Sequence, residues 1–273
     1  SFFINLFHFF LWLFCLSYSY LIFLLAFFFF LYISIPSTFG YSFISKNIDG
    51  HRIRVFDIPA NDEYRVTVSA TNNATSLASL IKQRNAFWGI NGAYFSPKDY
   101  TWLPDVTQTI RIMDGDWFSY SRYFPDTGIN GIFWFLSDGT PLLVQKNIYS
   151  YSLLRDNQNA EMMLEIKNGI ANFPILMTNG INLLPRYSSL GLITEKMKRK
   201  DMKSFICRTT NDGVKMWTID QISLLDVPKF ISKFGCIDAI NLDNGWSTAI
   251  YHHGKYILWP GRNIMDAFVI VKK

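Results

Sequence analysis

Residues 1–45 contain no lysine, arginine, aspartate or glutamate. All the charge of the chain, a formal net +5, therefore belongs to the part beyond Ser45. An uncharged start of this length is not domain material. From Phe2 to Ile35 the residues are almost wholly apolar, and as a helix they would reach roughly 50 Å, beyond a hydrocarbon core of about 30 Å. The expectation is a single transmembrane helix within residues 1–40, reaching the membrane through residues 2–35 and followed by a domain over 46–273. A cleaved signal would have a shorter apolar region, a basic start and small residues at the cut, and only Thr38-Phe39-Gly40 resembles such a cut. The length favours an anchor. No positive charge precedes the segment, so its orientation cannot be read directly.

Cysteine is scarce, with three in the chain. Cys15 lies in the apolar run without the small residues that precede a lipidated cysteine. Cys207 and Cys236 could pair in an oxidising compartment or stay as two buried thiols, and their spacing does not decide. Metal-ligand spacing is absent, since the adjacent His252 and His253 would point to opposite faces of a strand. The sequence requires no cofactor, and a divalent ion held by carboxylates is left as an open alternative. Concentrated positive charge is also missing apart from Lys196-Met197-Lys198-Arg199-Lys200, which reads as a solvated loop or helix face, so nucleic acid is disfavoured as a partner. Internal repeats and low-complexity linkers are lacking, and the charged part is long enough for one packed domain.

What is present is mostly strand. Arg52–Ile58 and Tyr64–Val68 alternate on either side of a Pro59-Ala60-Asn61-Asp62 turn, and Gly131–Leu136 returns through Ser137-Asp138-Gly139 into Pro141–Val144. Phe205–Thr210 and Val214–Ile219 form a hairpin around Asn211-Asp212-Gly213. Further strands fall at Ile237–Leu242, Ser247–His252 and Ala267–Val271. Asn91-Gly92 and Thr178-Asn179-Gly180 read as turns closing apolar runs. Short helices are expected at Ser76–Gln83, around Asn159–Ile166 and at Ser223–Phe234, the last with Pro228 in its first turn and Gly235 as its stop. Ser188–Lys203 reads as a flexible surface insertion. The fold class is α+β, a single mixed-sheet domain with a few helices.

The segment Ala239–Thr248 carries the most chemistry. An apolar strand ends in Asn241, Asp243 and Asn244, with Asn241 and Asp243 on one face and Ile240 and Leu242 on the other. Gly245 lets the backbone turn or approach a ligand closely. A strand end with an Asx turn would use the same residues.

Four segments in order resemble one family, the phosphodiester glycosidases. Trp88-Gly89-Ile90-Asn91-Gly92-Ala93-Tyr94-Phe95 is similar to its Ile-Asn-Gly-Gly-Phe-Phe motif, and Phe173–Gly180 to its Pro-x-Leu-Val-x-Asn-Gly stretch. Cys207-Arg208-Thr209 is similar to its Arg-Thr strand. Asn241-Leu242-Asp243-Asn244-Gly245-Trp246-Ser247-Thr248 is similar to its Asn-Leu-Asp-Gly-Gly-Gly-Ser-Ser signature, and Gly261-Arg262 precedes the last strand. The family usually has glycines where this chain has Asn244 and Trp246. Trp246 could offer a stacking face to a sugar ring or serve in packing.

The resemblance implies hydrolysis of a sugar phosphodiester in envelope or exopolysaccharide glycans, by a membrane-anchored domain outside the cytoplasm. The same scaffold could also bind carbohydrate without turnover. Asp243, Arg208 and Asn91 are the catalytic candidates, with Asp243 as the carboxylate that assists an oxocarbenium-like centre or activates water. Gly92, Asn179, Thr209, Asn241, Asn244, Gly245, Ser247, Thr248 and Arg262 are the substrate-binding candidates. Arg208 and Arg262 are assigned to phosphate, because a guanidinium grips phosphate oxygens in bidentate fashion. Asp220 and Asp238 have no motif support and read as capping or surface acids.

Overall fold

The computed structural model describes residues 40–60, 63–96, 106–107, 110–118, 130–145 and 165–273. The expected membrane segment lies outside these residues except for Gly40. Among the described residues no helix is long and apolar enough to cross a membrane.

In chain order the strands are β1 (Ser42–Ile48), β2 (His51–Ile58), β3 (Tyr64–Thr75), β4 (Trp88–Asn91), β5 (Phe95–Ser96), β6 (Val106–Thr107), β7 (Arg111–Met113), β8 (Asp116–Phe118), β9 (Gly131–Leu136) and β10 (Pro141–Gln145). They continue as β11 (Ile166–Asn172), β12 (Ile175–Thr178), β13 (Ile181–Asn182), β14 (Asp201–Thr209), β15 (Val214–Ile222), β16 (Cys236–Asn241), β17 (Ile250–His252), β18 (Lys255–Leu258) and β19 (Ile264–Lys272). A seven-stranded sheet has the order β1-β2-β15-β14-β16-β12-β13, and two five-stranded sheets have the orders β10-β9-β11-β7-β8 and β18-β17-β4-β19-β3. The sheet-rich α+β expectation holds, with antiparallel pairing around the centre of the seven-stranded sheet, where β14 lies between β15 and β16.

Alternation assigns each strand face to a core. On β14, Ile206 enters the central core shared by the three large sheets, while Phe205 and Cys207 point to an outer core. On β15, Val214 and Met216 go inward and Trp217 and Ile219 outward. Both faces are thus covered, so these strands read as nearly continuous apolar runs. Each fully buried large side chain contributes about 1.5–3 kcal/mol relative to exposure. Ile240 and Leu242 share the central core, as their alternation requires.

Helices cover the outer faces. Ser76 caps Leu77–Gln83 by accepting from Ser79 N at 3.1 Å, and Leu77, Leu80 and Ile81 pack with Ala267 and Val269 of β19. The stretch expected as one helix from Ser223 is divided into a 3-10 turn at Leu224–Asp226, an α-helix at Val227–Ile231 and a second 3-10 turn at Ser232–Phe234. Pro228 occupies its first turn, and Gly235 ends it with φ 80°. The expected flexible insertion at Ser188–Lys203 is instead ordered structure, with helices Leu184–Ser189 and Glu195–Lys198 leading into β14. Leu184, Tyr187 and Ile193 bury against the outer core and hold it down. Most of the helix expected around Asn159–Ile166 lies outside the described residues, and Ile166 opens β11. Asn91-Gly92 closes the apolar run as read: Asn91 ends β4, which pairs with the distant strands β17 and β19. Cys207 and Cys236 form a disulfide between β14 and β16.

Candidate active site

The carboxyl-terminal ends of β4 and β16 meet from different sheets. Asp243 N donates to Gly92 O at 2.8 Å, and Leu242 N donates to Ser204 O at 2.8 Å. Asn91 is fully buried at this junction. Its Nδ2 donates to Asp243 O at 2.6 Å and to Ser204 Oγ at 3.2 Å, while its Oδ1 accepts from Ala249 N at 3.1 Å. Ser204 Oγ donates in turn to Asp243 O at 2.7 Å. Asn91 therefore shapes the turn that presents Asp243 and does not itself face solvent.

The Asp243 carboxylate is buried, and Arg262 closes over it. Nη2 of Arg262 donates to Oδ2 at 2.7 Å, and its Nε donates to Ser247 Oγ at 2.6 Å. Ser247 and the Asn244 backbone also bond the carboxylate. The guanidinium lies 4.4 Å from the centroid of the Phe95 ring, and its side chain keeps 31% exposure. Burial raises the Asp243 pKa above the ordinary carboxylate value, and Arg262 and Ser247 pull against that rise. Thr248 is buried behind this group, with no partner for its hydroxyl among the described residues.

On the other side of Asp243 stands an amide pair. Asn241 Nδ2 donates to Tyr94 Oη at 2.7 Å, and Asn244 Nδ2 donates to the same oxygen at 3.1 Å and to Asn241 Oδ1 at 3.0 Å. Two donors already occupy the phenol oxygen, so its own proton is left to be donated outward. Burial of the hydroxyl and then the Asp243 charge raise the Tyr94 pKa, keeping it neutral. Asn244 has φ −108° and ψ 176°, extended backbone that any residue adopts, whereas Gly245 has φ 63° and uses the freedom of glycine. Trp246 is 77% exposed and does not fill the site.

Beneath lies a second acid. Asp266 is buried on β19, with Oδ1 accepting from Ala93 N at 2.7 Å and Oδ2 3.8 Å from Arg111 Nε. Burial raises its pKa to about 6, with Arg111 opposing and the Asp243 charge adding to the rise. This pair fixes the loop after Gly92 that carries Tyr94 and Phe95.

The structure gathers Asn91, Gly92, Asn241, Asp243, Asn244, Gly245, Ser247, Thr248 and Arg262 here. Arg208, Thr209 and Asn179 sit elsewhere. Arg208 is about 13 Å along β14 from Ser204 at strand rise. It donates through Nε and Nη2 to Asp238 Oδ2 at 2.8 and 2.5 Å and through Nη1 to Asp212 Oδ1 at 2.8 Å. Asn179 N reaches the other oxygen of Asp238 at 2.8 Å, and Thr209 Oγ1 donates to Asn211 Oδ1 at 2.6 Å. Asp238, read from sequence as a capping or surface acid, is buried as the anchor of that cluster. Asp220 pairs with Arg54 at 2.8 Å. A groove of about 290 Å³ lined by residues including Tyr64, Arg65, Asp138 and Asp212 contains none of the expected site residues.

Tyr94, Phe95, Ser204, Arg111 and Asp266 were not singled out from sequence. The signal for Asp266 was a carboxylate inside the apolar strand Ile264–Val271, where a charge requires a partner. Tyr94 and Phe95 followed Asn91-Gly92 directly. Among the described residues no group of three or more histidine, cysteine or carboxylate side chains could hold a metal ion.

The cluster sets a buried carboxylate, a part-exposed guanidinium and a phenol proton side by side, groups able to meet a charged, hydroxyl-bearing ligand. The phosphodiester glycosidase family model matches residues 84–271, and the chain belongs to that family. Its fold is similar to the zebrafish N-acetylglucosamine-1-phosphodiester alpha-N-acetylglucosaminidase catalytic domain auto-inhibited by its pro-peptide, with TM-score 0.63 and 15% identity over 86% of this chain and 82% of that one. It is also similar to a hypothetical protein from Synechocystis, with TM-score 0.61 and 14% identity over 85% of this chain and 62% of that one. None of the curated proteins matches it in sequence.

Proposed function

We propose that the protein hydrolyses a sugar-1-phosphodiester at Asp243, and the observation that carries this reading is the Arg262–Asp243–Ser247 cluster in a phosphodiester glycosidase domain. Water adds to the anomeric carbon, the bond from that carbon to the phosphate oxygen breaks, and a phosphomonoester leaves as an anion. Asp243 acts ionised, stabilising the oxocarbenium-like centre or taking the proton from water. Nη1 of Arg262, with no partner among the described residues, is the donor left for the departing phosphate. The Tyr94 proton is suited to a sugar or phosphate oxygen, and the Asn244 amide, bonded to Tyr94, Asn241 and Ser204 N, holds that phenol in place. Phosphate leaves readily as an anion, which reduces the need for a separate general acid.

The cellular setting belongs to the same proposal. The charge-free apolar segment anchors the domain to a membrane, and the Cys207–Cys236 disulfide suits an oxidising compartment outside the cytoplasm. The substrate is then a glycan phosphodiester of the envelope or exopolysaccharide. The test substrate is N-acetylglucosamine α-1-(methyl phosphate), chosen after the zebrafish relative's name. Release of free sugar by the purified protein, lost in Asp243→Asn with folding retained, supports the proposal. An Asp243→Asn variant of unchanged rate would remove the role of the carboxylate. A carbohydrate-binding protein without turnover is the second reading, motivated by the exposed Trp246 beside the site.

A further inference from the structure

Two indoles stand out of the surface beside the site. Trp246 is 77% exposed and Trp259 74%, more than the other exposed large hydrophobic residues among those described. Single exposed apolar residues are ordinary, but two indoles on adjoining loops offer a surface that a ligand can cover. Both are tied to the Arg262 segment. Trp246 precedes Ser247, which bonds Arg262, and Trp246 O accepts from Gly261 N at 2.8 Å. A Cβ on Gly261 would lie 3.0 Å from the Trp246 ring, so the absent side chain at 261 lets the indole rest on the backbone. Trp259 is two residues from Gly261, within about 7 Å along the chain. Its ring is 4.1 Å from that of Tyr256, which supports it from behind.

We propose that Trp246 and Trp259 form a stacking platform for a pyranose ring that lies beyond the phosphate held by Arg262. The inference rests on the hydrolytic reading of the site. Asp243 addresses the anomeric carbon and Arg262 the phosphate, so the next unit of a longer substrate meets the loop that carries Arg262 and its two tryptophans. An indole face matches the C–H face of a pyranose, whose hydroxyls remain in water at the rim. Both indoles lie outside the Asp243 cluster, so the platform would select among substrates without taking part in bond cleavage.

The experiment compares two substrates, N-acetylglucosamine α-1-(methyl phosphate) and the same phosphodiester with a methyl pyranoside in place of the methyl group. The wild type should show a KM about tenfold lower for the pyranoside form. Trp246→Ala/Trp259→Ala should erase that preference and leave kcat on the methyl phosphate within twofold. An undiminished preference in the double variant overturns the platform while leaving the hydrolysis intact. Where neither compound is turned over, the hydrolytic reading fails separately, and saturation-transfer NMR with the pyranoside compound decides. Transfer that depends on both tryptophans supports the platform, and transfer that is absent or unaffected by the double variant overturns it. Tryptophan-dependent sedimentation with phosphatidylglycerol vesicles, without binding of the pyranoside compound, also overturns it in favour of a lipid surface.

Discussion

Gly92 and Asp266 are packed so closely that a Cβ on residue 92 would overlap Oδ1 of the carboxylate and come within 2.9 Å of Ile170 Cδ1. Both neighbours are buried, and the carboxylate is held by Ala93 N. Gly92→Ala is therefore expected to destabilise the protein by about 1–3 kcal/mol, the usual cost of overpacking. It should also lower turnover, because the displaced loop carries Tyr94 and Phe95. Denaturant unfolding alongside hydrolysis of the methyl phosphate substrate checks both.

Arg262 lowers the pKa of an Asp243 that burial raises. On the proposed hydrolysis Asp243 acts ionised, so activity should fall as pH drops through its pKa. Replacing Arg262 with Gln removes the opposing charge, and the acid limb of kcat/KM should move to higher pH. The same variant should raise KM through the lost phosphate contact. A pH profile whose acid limb stays in place would exclude this coupling.

Asp266 gives a stability signature. Its folded-state pKa of about 6 lies above the ordinary 3.8, so between those values the unfolded chain releases a proton that the native protein keeps. Stability contributed by this group is present below about pH 4 and is lost as pH rises through about 6. Asp266→Asn removes the titration. The difference in unfolding free energy between variant and wild type should accordingly shift in favour of the variant as pH rises from 4 to 7.

Arg208 bridges Asp238 and Asp212 away from Asp243. Arg208→Gln leaves buried Asp238 with the Asn179 N–H but without its cation, for an expected loss of about 1–3 kcal/mol. The KM for the methyl phosphate substrate should stay within twofold of wild type. A tenfold rise in KM with unchanged unfolding would return Arg208 to the phosphate site.

Local chemistry made part of this legible from sequence. Ser137-Asp138-Gly139 and Asn211-Asp212-Gly213 announce hairpins because their turns are set by adjacent residues. Asp243, Asn244 and Ser247 could be grouped because one short segment carries them. Arg262 joined them through its place before the last strand. Asp266, Arg111 and Ser204 were hidden because they reach the site through pairings between distant strands. The same non-locality separated Arg208 from Asp243: Ser204 touches the Asp243 turn, and four residues further along β14 Arg208 lies beside Asp238 instead. Ser188–Lys203 misled through its polar, basic end, while Tyr187 and Ile193 supplied the burial that orders it.

The position of β19 between β3 and β4 has a consequence for how the protein is made. Tyr64 on β3 pairs with Lys272 at the end of β19, a partner far along the chain. During synthesis β3 and the β3-facing side of β4 must wait unpaired until residues 264–272 have emerged, and closing so long a loop is slow. Arg262 and Asp266 arrive with that same strand. The nascent chain therefore completes this five-stranded sheet and the Asp243–Arg262 cluster in one late event, and a ribosome stalled before Ile264 should hold a chain with unpaired strand edges.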